Sequence, residues 1–163
     1  MYRIAIITAS DKGAKGERED KSGPVIREMC QGFGEVSSYA ILADEREEIA
    51  QALRKICDED LADVVFTTGG TGFSPRDVTP EATMDVVERP TPGIPEAMRA
   101  RSLQVTDRAI LTRAAAGIRK GTLIINLPGS PKAVRECLEV ILPPLGHGID
   151  ILRGRAGECA RQG

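Results

Sequence analysis

The chain has 163 residues, 41% of them hydrophobic and 28% charged, with a formal net charge of −2. That length suits one domain with a sizeable core, and the small charge, without extended basic runs, excludes duplex nucleic acid as a main partner. No apolar stretch reaches the length of a membrane span and the N-terminus lacks a signal-peptide pattern, so a cytoplasmic protein is expected. Two tyrosines, three phenylalanines and no tryptophan are too few for a single-strand stacking platform.

Ile4-Ala5-Ile6-Ile7 predicts the first strand, followed by the polar run Thr8-Ala9-Ser10-Asp11-Lys12 and, further on, Asp20-Lys21-Ser22-Gly23. Val25, Ile26, Met29 and Cys30 repeat at helical spacing, with Pro24 suited to a first turn. Residues 36–42 predict a second strand, ending in Ala43-Asp44-Glu45. Ile49, Leu53, Ile56 and Cys57 then make a helical stripe. Val64-Val65-Phe66-Thr67 is the third strand. After a glycine-rich loop, residues 80–88 predict a helix with Thr79 as its N-cap. Pro90, Pro92, Gly93 and Pro95 break the chain, and a helix follows from Pro95 to about Leu103. Thr122-Leu123-Ile124-Ile125-Asn126 is the fourth strand. Residues 133–142 predict a helix that Pro143-Pro144 should end, with a short last helix carrying Leu145, Ile149 and Leu152.

Apolar strands alternating with amphipathic helices predict an α/β fold: a mainly parallel sheet with helices on both faces. Residues 1–153 form the single expected domain, and 154–163 a flexible tail.

The loop Thr68-Gly69-Gly70-Thr71-Gly72-Phe73-Ser74-Pro75-Arg76-Asp77 joins the third strand to a helix. Glycines let backbone N–H groups approach an anion, and a helix start adds favourable partial charge. Arg76 offers a cation for phosphate and Asp77 a carboxylate for magnesium. The loop is not a Walker A sequence, because no Gly-Lys-Ser/Thr ends it. Nor is it a dinucleotide fingerprint, because Pro75 stands where the third glycine belongs.

In open α/β sheets ligands bind at the carboxyl ends of the strands. Ser10 and Asp11, Asp44, the loop from Gly69 to Asp77, and Asn126-Leu127-Pro128-Gly129-Ser130-Pro131-Lys132 all follow strands. Two glycine loops and three aspartates would therefore gather at one edge, suited to magnesium-assisted transfer at a phosphate. Each residue also has a structural reading. Asp44 with Glu47 resembles a capping box, Asp77 could close a turn, and Ser130 could cap a helix. A binding site without chemistry would use the same loops.

Cys30, Cys57 and Cys137 fall on apolar helical positions, and no cysteine pair has CxxC spacing. Small core residues in a reducing cytosol are expected. His147 is the sole histidine, which leaves zinc without a ligand set and a histidine-based nucleophile system without support.

The run Thr68-Gly69-Gly70-Thr71-Gly72-Phe73-Ser74-Pro75-Arg76-Asp77-Val78-Thr79-Pro80-Glu81-Ala82-Thr83 resembles the signature of the molybdopterin adenylyltransferases. These are the MogA-type enzymes and the G domains of gephyrin and its plant counterpart. The likeness continues through Pro92-Gly93, Met98-Arg99, Ser102-Leu103, Thr112-Arg113-Ala114-Ala115-Ala116-Gly117-Ile118-Arg119 and Leu123-Ile124-Ile125-Asn126-Leu127-Pro128-Gly129-Ser130-Pro131-Lys132. The related MoaB branch shares the Gly-Gly-Thr-Gly loop. One departure is the short Pro143-Pro144-Leu145 segment, where bacterial adenylyltransferases often carry a longer one.

The resemblance implies a three-layer, Rossmann-like α/β/α fold assembled as a homotrimer. It implies magnesium-dependent transfer of AMP from ATP to the phosphate of molybdopterin, with pyrophosphate released and the product passed to a molybdenum-insertion enzyme. The family's two essential aspartates match Asp44 and Asp77, which would also hold the metal. Ser10, Asp11, Thr68, Gly69, Gly70, Thr71, Gly72, Arg76, Ser102, Asn126, Pro128, Gly129, Ser130 and Lys132 are the matching candidates for contacts to nucleotide and pterin. A non-catalytic molybdopterin carrier of the MoaB type is the alternative.

Overall fold

The computed structural model describes residues 1–156. Six strands form one sheet in the order β2-β1-β3-β6-β5-β4. β1 (Tyr2–Ala9), β2 (Gly34–Leu42), β3 (Val64–Thr68) and β6 (Thr122–Leu127) are mutually parallel. β5 (Ala116–Arg119) pairs antiparallel with β6, and β4 (Arg89–Pro90) antiparallel with β5. Neither β4 nor β5 is expected from the sequence. They are short, carry Pro90 and Gly117, and show no apolar run. Pro90 is tolerated because β4 is an edge strand.

Strand alternation sends side chains to opposite faces and makes three layers. Ile4, Ile6, Val64, Phe66, Leu123 and Ile125 pack against α2 (Ser22–Met29), α5 (Gly93–Leu103) and α6 (Pro131–Leu152). Ala5, Ile7, Val65 and Ile124 pack against α3 (Arg46–Asp58) and α4 (Thr79–Val86). A single turn, α1 (Asp11–Ala14), follows β1. The α3 stripe of Ile49, Leu53, Ile56 and Cys57 is buried as its periodicity requires.

Two expectations need correction. Pro143 and Pro144 do not end a helix but lie inside α6. Each lacks an N–H for the preceding turn, yet burial of Leu145 and Ile149 in the first core offsets that loss. Thr79 is not the N-cap of α4; Val78 holds that position, and the Thr79 hydroxyl is buried without a hydrogen-bond partner.

Cys30, Cys57 and Cys137 are buried and free, and burial pushes the thiols of Cys30 and Cys57 up to about 12 and about 11. Such thiols are inert packing groups rather than nucleophiles. Cys159 lies outside the described residues. His147 is exposed on α6. Among the described residues no helix is long and apolar enough to cross a membrane.

At the opposite end of the sheet from the glycine loops, Asp63 is 1% exposed and accepts the backbone N–H of Arg3 at 2.8 Å. Arg3, Arg153 and Arg155 surround its carboxylate at 3.1–3.2 Å. Residues 153–155, where the predicted tail begins, are thus tied to β3; residues 157–163 of that tail lie outside the described residues. Burial alone would raise the Asp63 pKa, but hydrogen bonds and charge from Arg3 and its neighbours hold it below the usual carboxylate range. Its contribution to stability is therefore present above the unfolded value of about 4 and is lost as the pH falls through the lower folded value. Asp63→Asn should cost about 2–3 kcal/mol at neutral pH, because three guanidinium groups lose their shared anion. The variant's stability should fall less steeply than the parent's between about pH 4 and pH 2. Chemical denaturation across that range checks both expectations.

Candidate active site

β2 and β3 lie on opposite sides of β1, so the strand order reverses between β1 and β3. Side chains and loops leaving the carboxyl ends of these two strands diverge there and open a crevice. A cavity of about 510 Å³ occupies it. Its walls include Ser10 after β1, Asp44 after β2, Thr68, Gly69, Gly70 and Asp77 after β3, and Gly129 after β6. Seven of the residues singled out from the sequence thus meet around one space.

The backbone at Gly69 and Gly70 has φ of +91° and +70°, the left-handed region where glycine carries no penalty. Both positions are also too crowded for a side chain. A Cβ on Gly69 would stand 2.5 Å from the Ala9 carbonyl oxygen, and one on Gly70 would stand 2.4 Å from the Thr79 hydroxyl. Among the described residues, the N–H groups of Gly70, Thr71, Gly72 and Phe73 donate to no protein acceptor. Unspent amides on a glycine loop are suited to receive an anion.

Asp44 and Asp11 are bonded reciprocally. The Asp11 N–H donates to Asp44 Oδ2 and the Asp44 N–H to Asp11 Oδ1, each at 2.9 Å. This replaces the capping-box arrangement, since Glu45 is the N-cap of α3 and makes no side-chain capping bond. Burial raises the Asp44 pKa, and the charges of Asp11 and Asp77 raise it further, against the Asp11 N–H and Arg76. Asp77 Oδ2 accepts the Ser74 N–H at 3.0 Å, so Asp77 does close a turn. Among the described residues, Asp44 Oδ1 and Asp77 Oδ1 have no protein hydrogen-bond donor. Each carboxylate is oriented by one oxygen and leaves the other available.

The remaining candidates do not line this cavity. Arg76 donates to both Asp11 oxygens at 3.0 Å and to Glu45 at 2.8 Å, and its guanidinium holds the Asp11 pKa low. It is therefore engaged with carboxylates in this state. Thr71 is buried, and the Gly72 Cα packs toward Asp77. Lys132 is exposed. Ser130 accepts from Ala133 as the N-cap of α6, as Ser10, on the cavity wall, accepts from Gly13 as the N-cap of α1. Asn126 is fully buried and donates to the hydroxyls of Thr67 at 3.0 Å and Thr83 at 2.8 Å. Ser102 and Pro128 line a separate apolar pocket of about 200 Å³, with Met98 and Cys137.

The segment after α1, up to the first residue of α2, supplies further wall residues: Arg18 and Glu19, and Asp20, Lys21 and Ser22, which the sequence placed after the first strand without making them site candidates. Asp20 accepts the Thr8 hydroxyl at 2.8 Å and the N–H groups of Ser22 and Gly23. The Ser22 hydroxyl donates to the Gly129 carbonyl at 2.6 Å, tying this segment to the second glycine loop. Its position after the first strand was the available signal; the intervening charged run concealed that it folds back.

Fold and site together define a doubly wound α/β protein with an anion-accepting glycine loop and paired carboxylates at its switch point. Residues 5–147 match the family described as "Probable molybdopterin binding domain". The chain is 47% identical over 154 residues to a molybdopterin adenylyltransferase of Helicobacter pylori strain J99, covering 93% of this chain and 88% of that protein. It is 41% identical to gephyrin of Dictyostelium discoideum, covering 93% of this chain and 23% of that longer protein. Among solved structures, the molybdopterin biosynthesis enzyme MoaB of Thermus thermophilus superposes with a TM-score of 0.89 at 46% identity, covering 94% of this chain and 98% of that one. The chain belongs to the molybdopterin adenylyltransferase family.

Proposed function

We propose that this protein acts in molybdenum cofactor biosynthesis by transferring AMP from ATP to the phosphate of molybdopterin. The observation that carries the reading is the meeting of Asp44, Asp77 and the Gly69-Gly70 turn around one cavity, each carboxylate with an oxygen to spare. The name and high identity of the Helicobacter pylori relative support the same reaction.

Magnesium fits this donor set. Among the described residues no group of three or more metal-ligating side chains occurs, and magnesium asks for fewer, taking one or two carboxylates with phosphate and water. Asp44 and Asp77 would hold it, and it would neutralise charge on the reacting phosphates. The unspent amide of Gly70, on the cavity wall, would receive a phosphate oxygen, and Asp11 holds Asp44 in place. Arg76 can exchange its carboxylate partners for phosphate. A phosphate oxygen of molybdopterin forms a bond to the α-phosphorus of ATP while the bond to the β-phosphate breaks and pyrophosphate leaves. The nucleophile is already an anion, so no histidine or other base is required.

The apolar pocket around Ser102 and Pro128 adjoins the second glycine loop and suits a pterin ring. The family further implies a homotrimer and transfer of the product to a molybdenum-insertion enzyme. Incubation with ATP, magnesium and molybdopterin should yield a species heavier by one adenylyl group, detected by mass spectrometry. Pterin binding with unmodified pterin recovered would instead support a carrier.

A further inference from the structure

Residues 112–115 connect the 3-10 turn at Asp107–Leu111 to β5 and are fixed from two sides. Arg99 Nη1 lies 3.3 Å from the carbonyl oxygens of Thr112 and Ala114. Asn126 Oδ1 accepts the Ala115 N–H at 3.1 Å, and the Asn126 N–H donates to the Ala115 carbonyl at 3.0 Å. From this braced segment Arg113 reaches into the glycine-rich loop.

Its backbone N–H donates to the Thr71 carbonyl at 2.9 Å. Its guanidinium donates from Nε to the Gly72 carbonyl at 2.8 Å and from Nη2 to the Asp77 carbonyl at 2.7 Å. Nη1 pairs with Glu81 of α4. One side chain thus closes loop 71–77 by holding the carbonyls at both its ends. The closure brings Asp77 against Gly72, where a Cβ would stand 2.9 Å from Asp77 Oδ2.

The other restraints are internal to the loop, where Ser74 and Asp77 bond to each other, or lie at its exposed tip. Phe73, Ser74, Pro75 and Arg76 are exposed, and the ion pairs of Arg76 sit in solvent. Arg113 does not line the cavity. Its guanidinium spends the Gly72 and Asp77 carbonyls inside the protein. A planar fork with several fixed donors can do this, whereas a lysine ammonium cannot span the same acceptors.

We propose that Arg113 is a positioning residue that holds loop 71–77 in the shape that presents Asp77 to the cavity, acting through backbone carbonyls and never touching substrate. The kinetic arm of its test rests on the transferase reading; the structural arm does not.

Arg113→Gln and Arg113→Lys are compared with the parent by amide hydrogen exchange over residues 70–79 and by steady-state kinetics. Exchange of the hydrogen-bonded loop amides, those of Ser74, Asp77 and Thr79, should accelerate about tenfold or more in both variants, while β3 and β6 stay protected. The kcat should fall about a hundredfold with KM for ATP changed less than about threefold, as expected for lost alignment. Millimolar guanidinium should partly restore kcat in Arg113→Gln and do nothing for Asp77→Ala. Parent-like loop exchange in both variants would overturn the proposal, as would faster exchange with unchanged kcat. If Arg113→Gln loosens the whole sheet, Arg113→Lys decides, and normal loop exchange there refutes the role. A parent chain without turnover would count against the transferase reading, and the exchange result alone would then decide on Arg113.

Discussion

Asp77→Ala should lower pterin-dependent pyrophosphate release from ATP by about a thousandfold, the rate equivalent of about 4 kcal/mol of lost charge stabilisation. The fold should survive, because Asp77 is a partly exposed loop residue whose carboxylate makes one backbone contact, the 3.0 Å bond from Ser74. Asp44→Ala should lose turnover to a similar degree, with a larger structural cost, since Asp44 Oδ2 also anchors the Asp11 N–H. Circular dichroism and thermal melting separate lost chemistry from lost structure. Turnover within about tenfold of the parent in a folded Asp77→Ala variant would remove that residue from the mechanism.

Gly69→Ala should be the most damaging single-methyl change in the cavity wall. The added Cβ would meet the Ala9 carbonyl at 2.5 Å, and the backbone would keep a φ of +91° that alanine resists. A loss of about 3 kcal/mol is expected, which for a chain of this size lowers Tm by about 6–12 °C. Because β1 and β3 would have to separate at the switch point, nucleotide affinity should fall as well. Gly129→Ala is the matched control: its Cβ would meet only the Gly69 Cα, at an ordinary 3.5 Å. A melting temperature for Gly69→Ala as high as that of Gly129→Ala would contradict the packing argument.

The central sheet was legible because parallel strands buried on both faces read as apolar runs, as residues 4–7, 64–67 and 122–126 do. β5 and β4 were not, because a four-residue and a two-residue strand leave no period to detect. The continuous α6 was hidden for a different reason. Local propensity says that two prolines end a helix, while burial of Leu145 and Ile149 depends on tertiary contacts that a local pattern does not contain.

For the site, the rule that ligands gather at strand ends placed Asp44, Asp77 and both glycine loops at one edge, and the structure brings them to one cavity. The same rule names Ser130, which caps α6, and Asn126, which is buried and bonded to Thr67 and Thr83. Residue type and strand position cannot reveal which way a side chain turns. Arg113 illustrates the converse. It comes long after the glycine loop, and only the return of the chain alongside Thr71 makes it a restraint on the loop.

The central claim is tested most directly by measuring pyrophosphate release from ATP and magnesium, with and without purified molybdopterin. Release that depends on molybdopterin and disappears when magnesium is chelated is the predicted result. Tight molybdopterin binding with no pyrophosphate released under any of these conditions would contradict it, and would make the cavity a carrier site.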